Sequence, residues 1–153
     1  MATLVPGRDL RRIQFGHKVD RATAALPQTA TGTLFTVSGG RILLTGIVGE
    51  VTTVIQTQAN NTKLVHTPTT GTAVDLCAVL NISAKEVGTL FGITGLFSDA
   101  LVGANAGAGV MPRNPVVLPI GNLGLSCAAS NTGSVKWSIT WVPLDDAGVV
   151  VAA

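Results

Sequence analysis

Charge is what this chain has least of: 12% of its 153 residues are Asp, Glu, Lys or Arg, against about 25% in an ordinary soluble domain. Combined with a hydrophobic share of 46%, that scarcity excludes intrinsic disorder and argues against the freely solvated surface of a typical enzyme. Aromatic residues make up only 4%, too few to interleave with basic side chains as a nucleic-acid interface requires. The two cysteines, Cys77 and Cys127, sit in apolar strand-like runs and read as small core residues rather than a disulfide framework. His17 and His66 are the only imidazoles, and no HxH, HExxH or CxxC spacing occurs, so no metal site and no cofactor are expected. Long hydrophobic runs are missing as well. The longest uncharged stretch, Asn114 to Val135, carries Pro115, Pro119, Gly121, Gly124 and Gly133 and cannot form a membrane-spanning helix. Pro6, Gly7 and Arg8 interrupt the start before an apolar stretch develops, so no signal peptide is expected and the chain is expected to be made in the cytoplasm.

What is present favours strands. Thr and Val are abundant beside 18 glycines, and β-branched residues suit a pleated sheet while glycine suits turns. At this length one domain buries about 68–70% of its unfolded surface, enough for a sizeable core. The scarce charge is unevenly placed. Residues 1–21 hold Arg8, Arg11, Arg12, Lys18 and Arg21 against Asp9 and Asp20, while the remainder holds five bases and six acids. Residues 1–32 therefore read as an extended basic arm that orders on binding, with a short helix within Arg8–Arg21 as the alternative, weakened by Gly16. Residues 33–153 read as the body. Arginine pairs with carboxylate and phosphate alike, and without a repeated basic pattern an acidic protein surface is the expected partner and nucleic acid is not.

The body reads as about eight short strands, hence an all-β single domain, a β-sandwich or β-barrel. Residues 41–58 form the longest β-like stretch, with Gly46 and Gly49 suggesting bulges or bends. It reads as a hairpin with residues 62–66 across Ala59-Asn60-Asn61, and residues 123–128 read as a second hairpin with 135–142. Residues 73–82 read as one apolar strand, buried on both faces or nearly so. Gly103 to Gly109 is a small-residue loop of the kind found at exposed tips. The clearest alternation comes last: Val135, Trp137, Ile139 and Trp141 alternate with Lys136, Ser138 and Thr140, placing both indoles on one buried face. Trp137, Ile139 and Trp141 are accordingly expected in the core or in a subunit interface.

Catalytic chemistry is hard to assemble from these residues. Asp145-Asp146 is the only acidic doublet, but neighbours in an extended chain point to opposite sides, so a turn after Pro143 is the better reading. Ser126 lacks the glycine-flanked elbow of a hydrolase nucleophile, and Gly103 to Gly109 lacks the Lys-Ser/Thr ending of a phosphate loop. Asp75 stands alone in an apolar run; if buried it needs a partner such as Arg41, Lys63 or Arg113, and otherwise it marks the wet end of a strand. No enzyme activity is expected.

The runs Thr33 to Gly49, Thr52 to Leu64, Gly71 to Ala78 and Cys127 to Trp137 resemble small structural proteins encoded in the virion gene blocks of tailed bacteriophages, most nearly capsid decoration (cement) proteins. The likeness spans residues 33 to 145. It implies a homotrimer that binds the outer surface of the major capsid protein shell, stabilises the head, and resides on the virion surface. The alternative it implies is a tail or head-fibre β-module that binds a receptor, with Gly103 to Gly109 as the contact loop.

Overall fold

The computed structural model describes residues 4–104 and 107–153. One helix, α1 (Gly7–Phe15), precedes the strands β1 (His17–Ala25), β2 (Thr31–Ser38), β3 (Ile42–Thr53), β4 (Asn61–Pro68), β5 (Val74–Asp75), β6 (Leu80–Asn81), β7 (Leu90–Gly92), β8 (Val102–Ala104), β9 (Val116–Leu118), β10 (Gly121–Cys127), β11 (Ser134–Pro143) and β12 (Val149–Ala152). They build two antiparallel sheets. The first runs β1-β11-β3-β7-β8 with β9 also on β3; the second runs β12-β2-β10-β4-β5 with β6 also on β4. The fold is the all-β sandwich that the strand pattern calls for.

β11 sets the interior of the first sheet. Val135, Trp137, Ile139 and Trp141 are all buried and the residues between them are not, as a period of two requires. Trp137 lies opposite Gly49 on β3, Gly49 lies opposite Phe91 on β7, and Phe91 lies opposite Gly103 on β8. Large and small residues thus alternate across four strands. A Cβ on Gly49 would stand 2.7 Å from the Trp137 ring, and one on Gly103 would stand 2.6 Å from Phe91; their absence lets the two rings stack with centroids 6.3 Å apart. Gly49 is therefore in register and makes room for an indole rather than a bend. The ladder does slip near Gly46, where Thr45 is the extra residue between the pairs Thr140–Gly46 and Trp141–Leu44. Phe35, Leu64 and Leu123 face the first sheet from the second.

Both expected hairpins are crossovers instead. β3 and β4 belong to different sheets, as do β10 and β11. The two connections lie side by side and hold each other through buried amides. The Asn60 side chain donates to the Ala129 carbonyl at 3.0 Å and accepts from the Ala129 N–H at 3.1 Å. Asn131 donates to the Gln58 carbonyl at 2.7 Å, and the Gln56 N–H donates to the Thr132 carbonyl at 3.0 Å. These bonds satisfy backbone groups that a tight two-residue turn would have paired internally.

Residues 73–82 form two short pairings with β4 rather than one buried strand, and Val74 and Asp75 are exposed. Between them the chain turns inward to bury Leu76 and Cys77 and reaches the first sheet: the Ala78 N–H donates to the Asp99 carbonyl at 2.7 Å and the Leu101 N–H to the Ala78 carbonyl at 2.9 Å. That bridge closes one side of the sandwich. The other side closes where β1 approaches β12, with Arg21 Nε donating to the Ala153 carbonyl at 3.2 Å.

The N-terminal region departs from an extended arm ending at residue 32. Residues 7–15 are helical, and His17–Ala25 pair with β11 as the edge of the first sheet. Leu26 is buried, its N–H donating to the Gly133 carbonyl at 3.1 Å, and Gln28 donates to the Asn131 carbonyl at 3.0 Å. The boundary between the part that lies on the body and the part woven into it falls at Gly16.

Candidate partner-binding cleft

α1 begins after Pro6, which fixes a backbone angle suited to a helix entrance, and carries Asp9 in its first turn and Arg12 in its last, the order that complements the helix dipole. It ends at Gly16, whose φ of 86° favours glycine and whose N–H donates to the Arg12 carbonyl at 2.9 Å. A Cβ at Gly16 would collide with the Trp141 carbonyl oxygen. Thr45 Oγ1 donates to the Phe15 carbonyl, and the His17 ring lies 5.0 Å from the Trp141 ring. The last turn of α1 is thus pinned to the end of β11.

At a spacing of about 100° per residue, Arg8, Arg11, Arg12 and Phe15 fall on one face of α1, and Leu10 and Ile13 on the opposite one. The arginine face is the one turned toward the sheet. Between it and His17, Lys18 and Thr140 lies a cleft of about 290 Å³. The apolar stripe points away: Leu10 is 54% exposed and Ile13 78%, and the helix buries no residue. This inverts the usual packing of an amphipathic helix on a globular body.

No acid lines the cleft. Arg8 meets Asp9 at 3.7 Å and Lys18 meets Asp20 at 2.8 Å, but the Arg11 and Arg12 side chains have no ion-pair partner among the described residues. The contrast with the next groove along the first sheet is direct. There Lys18, Asp20, Arg21, Glu50 and Lys136 line a space of about 500 Å³, and Lys136 pairs with Glu50 at 2.9 Å. Hydrogen bonds from Lys18 and Ser138 hold the Asp20 carboxyl below its ordinary value. In that groove two acids hold two of the three cations; the lining of the cleft supplies no acid at all.

Of the five cations singled out from sequence, the structure brings Arg8, Arg11, Arg12 and Lys18 together and sends Arg21 elsewhere, to the Ala153 carbonyl. Phe15, Gly16, His17 and Thr140 complete the cleft and escape a reading of charge alone; the signal available for them was Gly16 at the break between helical and alternating periods. Trp137, Ile139 and Trp141 are buried within a single chain. The Gly103 to Gly109 loop includes residues 105 and 106, which lie outside the described residues.

The remaining candidates resolve into structural roles. Asp75 is exposed and accepts from Lys63 Nζ at 2.6 Å. Asp145 takes Arg41 through both carboxylate oxygens, at 2.9 and 2.8 Å, and accepts the Arg41 N–H at 2.8 Å. The Arg41 guanidinium and N–H pull the Asp145 carboxyl down to about 2. This pair fastens the β2–β3 turn to the β11–β12 turn, and Asp146 has no share in it. Burial pushes the Cys77 and Cys127 thiols up, away from nucleophilic use. His66 is buried on β4; burial lowers its imidazole, an effect that the Pro119 backbone opposes. Among the described residues no three His, Cys, Asp or Glu side chains gather as a metal site would need, and no helix is long and apolar enough to cross a membrane. The chain matches no protein-family profile, no curated protein and no solved structure.

Proposed function

We propose that this chain is a structural protein of a phage head, a decoration protein that attaches to the outer surface of the major capsid protein shell and reinforces it. The observation that carries this reading is the cleft, where unpaired arginines stand on a helix that shows its apolar side to solvent. Such a surface is complete only against another molecule. Phe97 and Met111 are exposed, and in a chain with so few charges these apolar side chains suit contact with further copies, as in a homotrimer. Reinforcement follows by mass action: a protein that binds only the assembled shell stabilises it by RT ln(1 + [L]/Kd) per site, and many copies sum. Labelled protein mixed with intact particles should locate on the head shell and raise the temperature at which particles release their contents. Protein found on tails, or on no part of the particle, overturns the reading. A monodisperse monomer in light scattering overturns the trimer.

A further inference from the structure

The cleft costs the free protein something. Three guanidinium groups and an ammonium group share a space of about 290 Å³ with no acid in its lining; Asp9 and Asp20 reach Arg8 and Lys18 from outside it, but Arg11 and Arg12 stand unpaired among the described residues, and like charges so placed repel. They are nevertheless held there by fixed backbone: Gly16 in a conformation open to glycine, the Phe15 carbonyl bonded by Thr45, and His17 seated on Trp141. A corner fastened around mutually repelling cations is arranged for an anionic occupant, and guanidinium forks match planar oxyanions through paired N–H donors.

The surroundings select among oxyanions. A nucleic-acid backbone needs a basic track along which successive phosphates are met. Leaving the cleft along the first sheet, such a chain would run onto the carboxylates of Asp20 and Glu50, which hold Lys18 and Lys136 in ion pairs, while Arg21 beside them donates to the Ala153 carbonyl. Leaving it over α1, it would meet Leu10 and Ile13, with Leu4 beyond. Cations at the centre, apolar side chains on one flank and carboxylates on the other fit a polypeptide. We infer that the cleft is a docking site for a short acidic segment of a partner protein, its carboxylates between the α1 arginines and Lys18 and its apolar side chains against Leu10 and Ile13. The inference rests on the shell-binding reading for the identity of the partner, not for the chemistry of the site.

A fluorescently labelled peptide of repeated Glu-Glu-Leu, titrated against the full chain in anisotropy, tests it. One peptide should bind per chain, more tightly at lower salt. Arg11→Gln/Arg12→Gln should weaken it about tenfold or more, the loss expected when charge-assisted hydrogen bonds are removed. Lys63→Gln/Lys85→Gln removes the same charge elsewhere and should change affinity by less than about twofold, the scale of a distant screened charge. The site is overturned if binding is not saturable, if both double variants lose affinity equally, or if a short DNA duplex outcompetes the peptide. Hexaglutamate binding as tightly as the mixed peptide overturns the apolar flank. Particle attachment separates the two readings. Peptide binding to the native chain, with Arg11→Gln/Arg12→Gln still fully attached to particles, keeps the site and removes the shell as its partner. No peptide binding, with attachment lost in that variant, keeps the shell reading and removes the acidic segment.

Discussion

Trp137 and Trp141 stand four residues apart on the same face of β11, and their neighbourhoods differ in kind. Around Trp137 the chain supplies everything: Gly49 beneath the ring, Phe91 stacked beyond it, and Gly103 behind Phe91. Around Trp141 the ladder slips at Thr45, Gly16 brings a helix across the strand end, His17 lies on the indole, and Trp141 Nε1 is buried without a hydrogen-bond partner among the described residues. One end of the strand is finished by its own sheet. The other is left beside a cleft in which Arg11 and Arg12 have no ion-pair partner among the described residues. Stability should therefore reside at the Trp137 end and recognition at the Trp141 end.

The largest effect that separates them is Trp137→Ala, which should cost about 3–5 kcal/mol in urea unfolding, as large aromatic truncations in packed cores do. Lys136→Ala, on the outer face, should cost under about 1 kcal/mol, since it breaks only an exposed ion pair. Comparable losses for the two would mean that the row is not the keystone described. Gly16→Ala comes next. It forces a side chain into a backbone conformation that essentially only glycine adopts, at about 1–3 kcal/mol, and should displace α1, so that acidic-peptide binding falls while the near-ultraviolet circular dichroism of the Trp137–Phe91 stack stays. A smaller effect is tied to pH. The His66 imidazole lies below its ordinary value near 6.5 because it is buried, so the folded state favours the neutral ring. Stability is whole above about pH 6.5 and declines as pH falls below it, because the unfolded chain takes up a proton that the core resists. The melting temperature should drop from about pH 6.5 to pH 5, and His66→Leu should flatten that slope. The Asp145–Arg41 pair weakens only at lower pH, as acid approaches the carboxyl value of about 2. The smallest effect is deletion of residues 1–15, which should leave the melting curve in place because α1 buries nothing. Extending the deletion through residue 25 should lower it, because that bares the edge of β11.

Much of the Trp137 end was legible in the sequence, because burial on one face of an extended chain writes itself as alternation and residues 135–141 alternate without a break. The crossovers were not. Ala59-Asn60-Asn61 carries turn chemistry that serves a hairpin and a passage between sheets equally well. What decides is the Asn60 amide meeting the Ala129 backbone 69 residues away, and no local pattern encodes that. Gly46 and Gly49 look alike in sequence, yet one sits at a register slip and the other makes room for an indole supplied by a distant strand. Residues 17–25 read as arm because Ala22, Thr23, Ala24 and Ala25 show no apolar alternation. They form a strand because β11 offers them an edge. Four of the five cations named from charge alone line the cleft, but their convergence depends on Gly16 folding α1 back, which a count of charges does not contain.

The order in which strands find partners bears on how the chain comes to exist. No two of β1, β2, β3 and β4 pair with one another; each is hydrogen-bonded to strands that follow later, above all β10 and β11. During synthesis the first half of the protein emerges as β1 to β4 with only the short β5 to pair with, on β4. Neither sheet can close until residues 121–143 have left the ribosome, and the loops to be closed are then long, a topology that folds slowly. For that interval Leu34, Phe35, Ile42, Leu44 and Ile47 are unprotected, so a chain stalled before β10 is a candidate for aggregation or for capture by chaperones. Folding of the body is thereby bound to the emergence of residues 121–143, and a nascent chain does not acquire a sandwich before then.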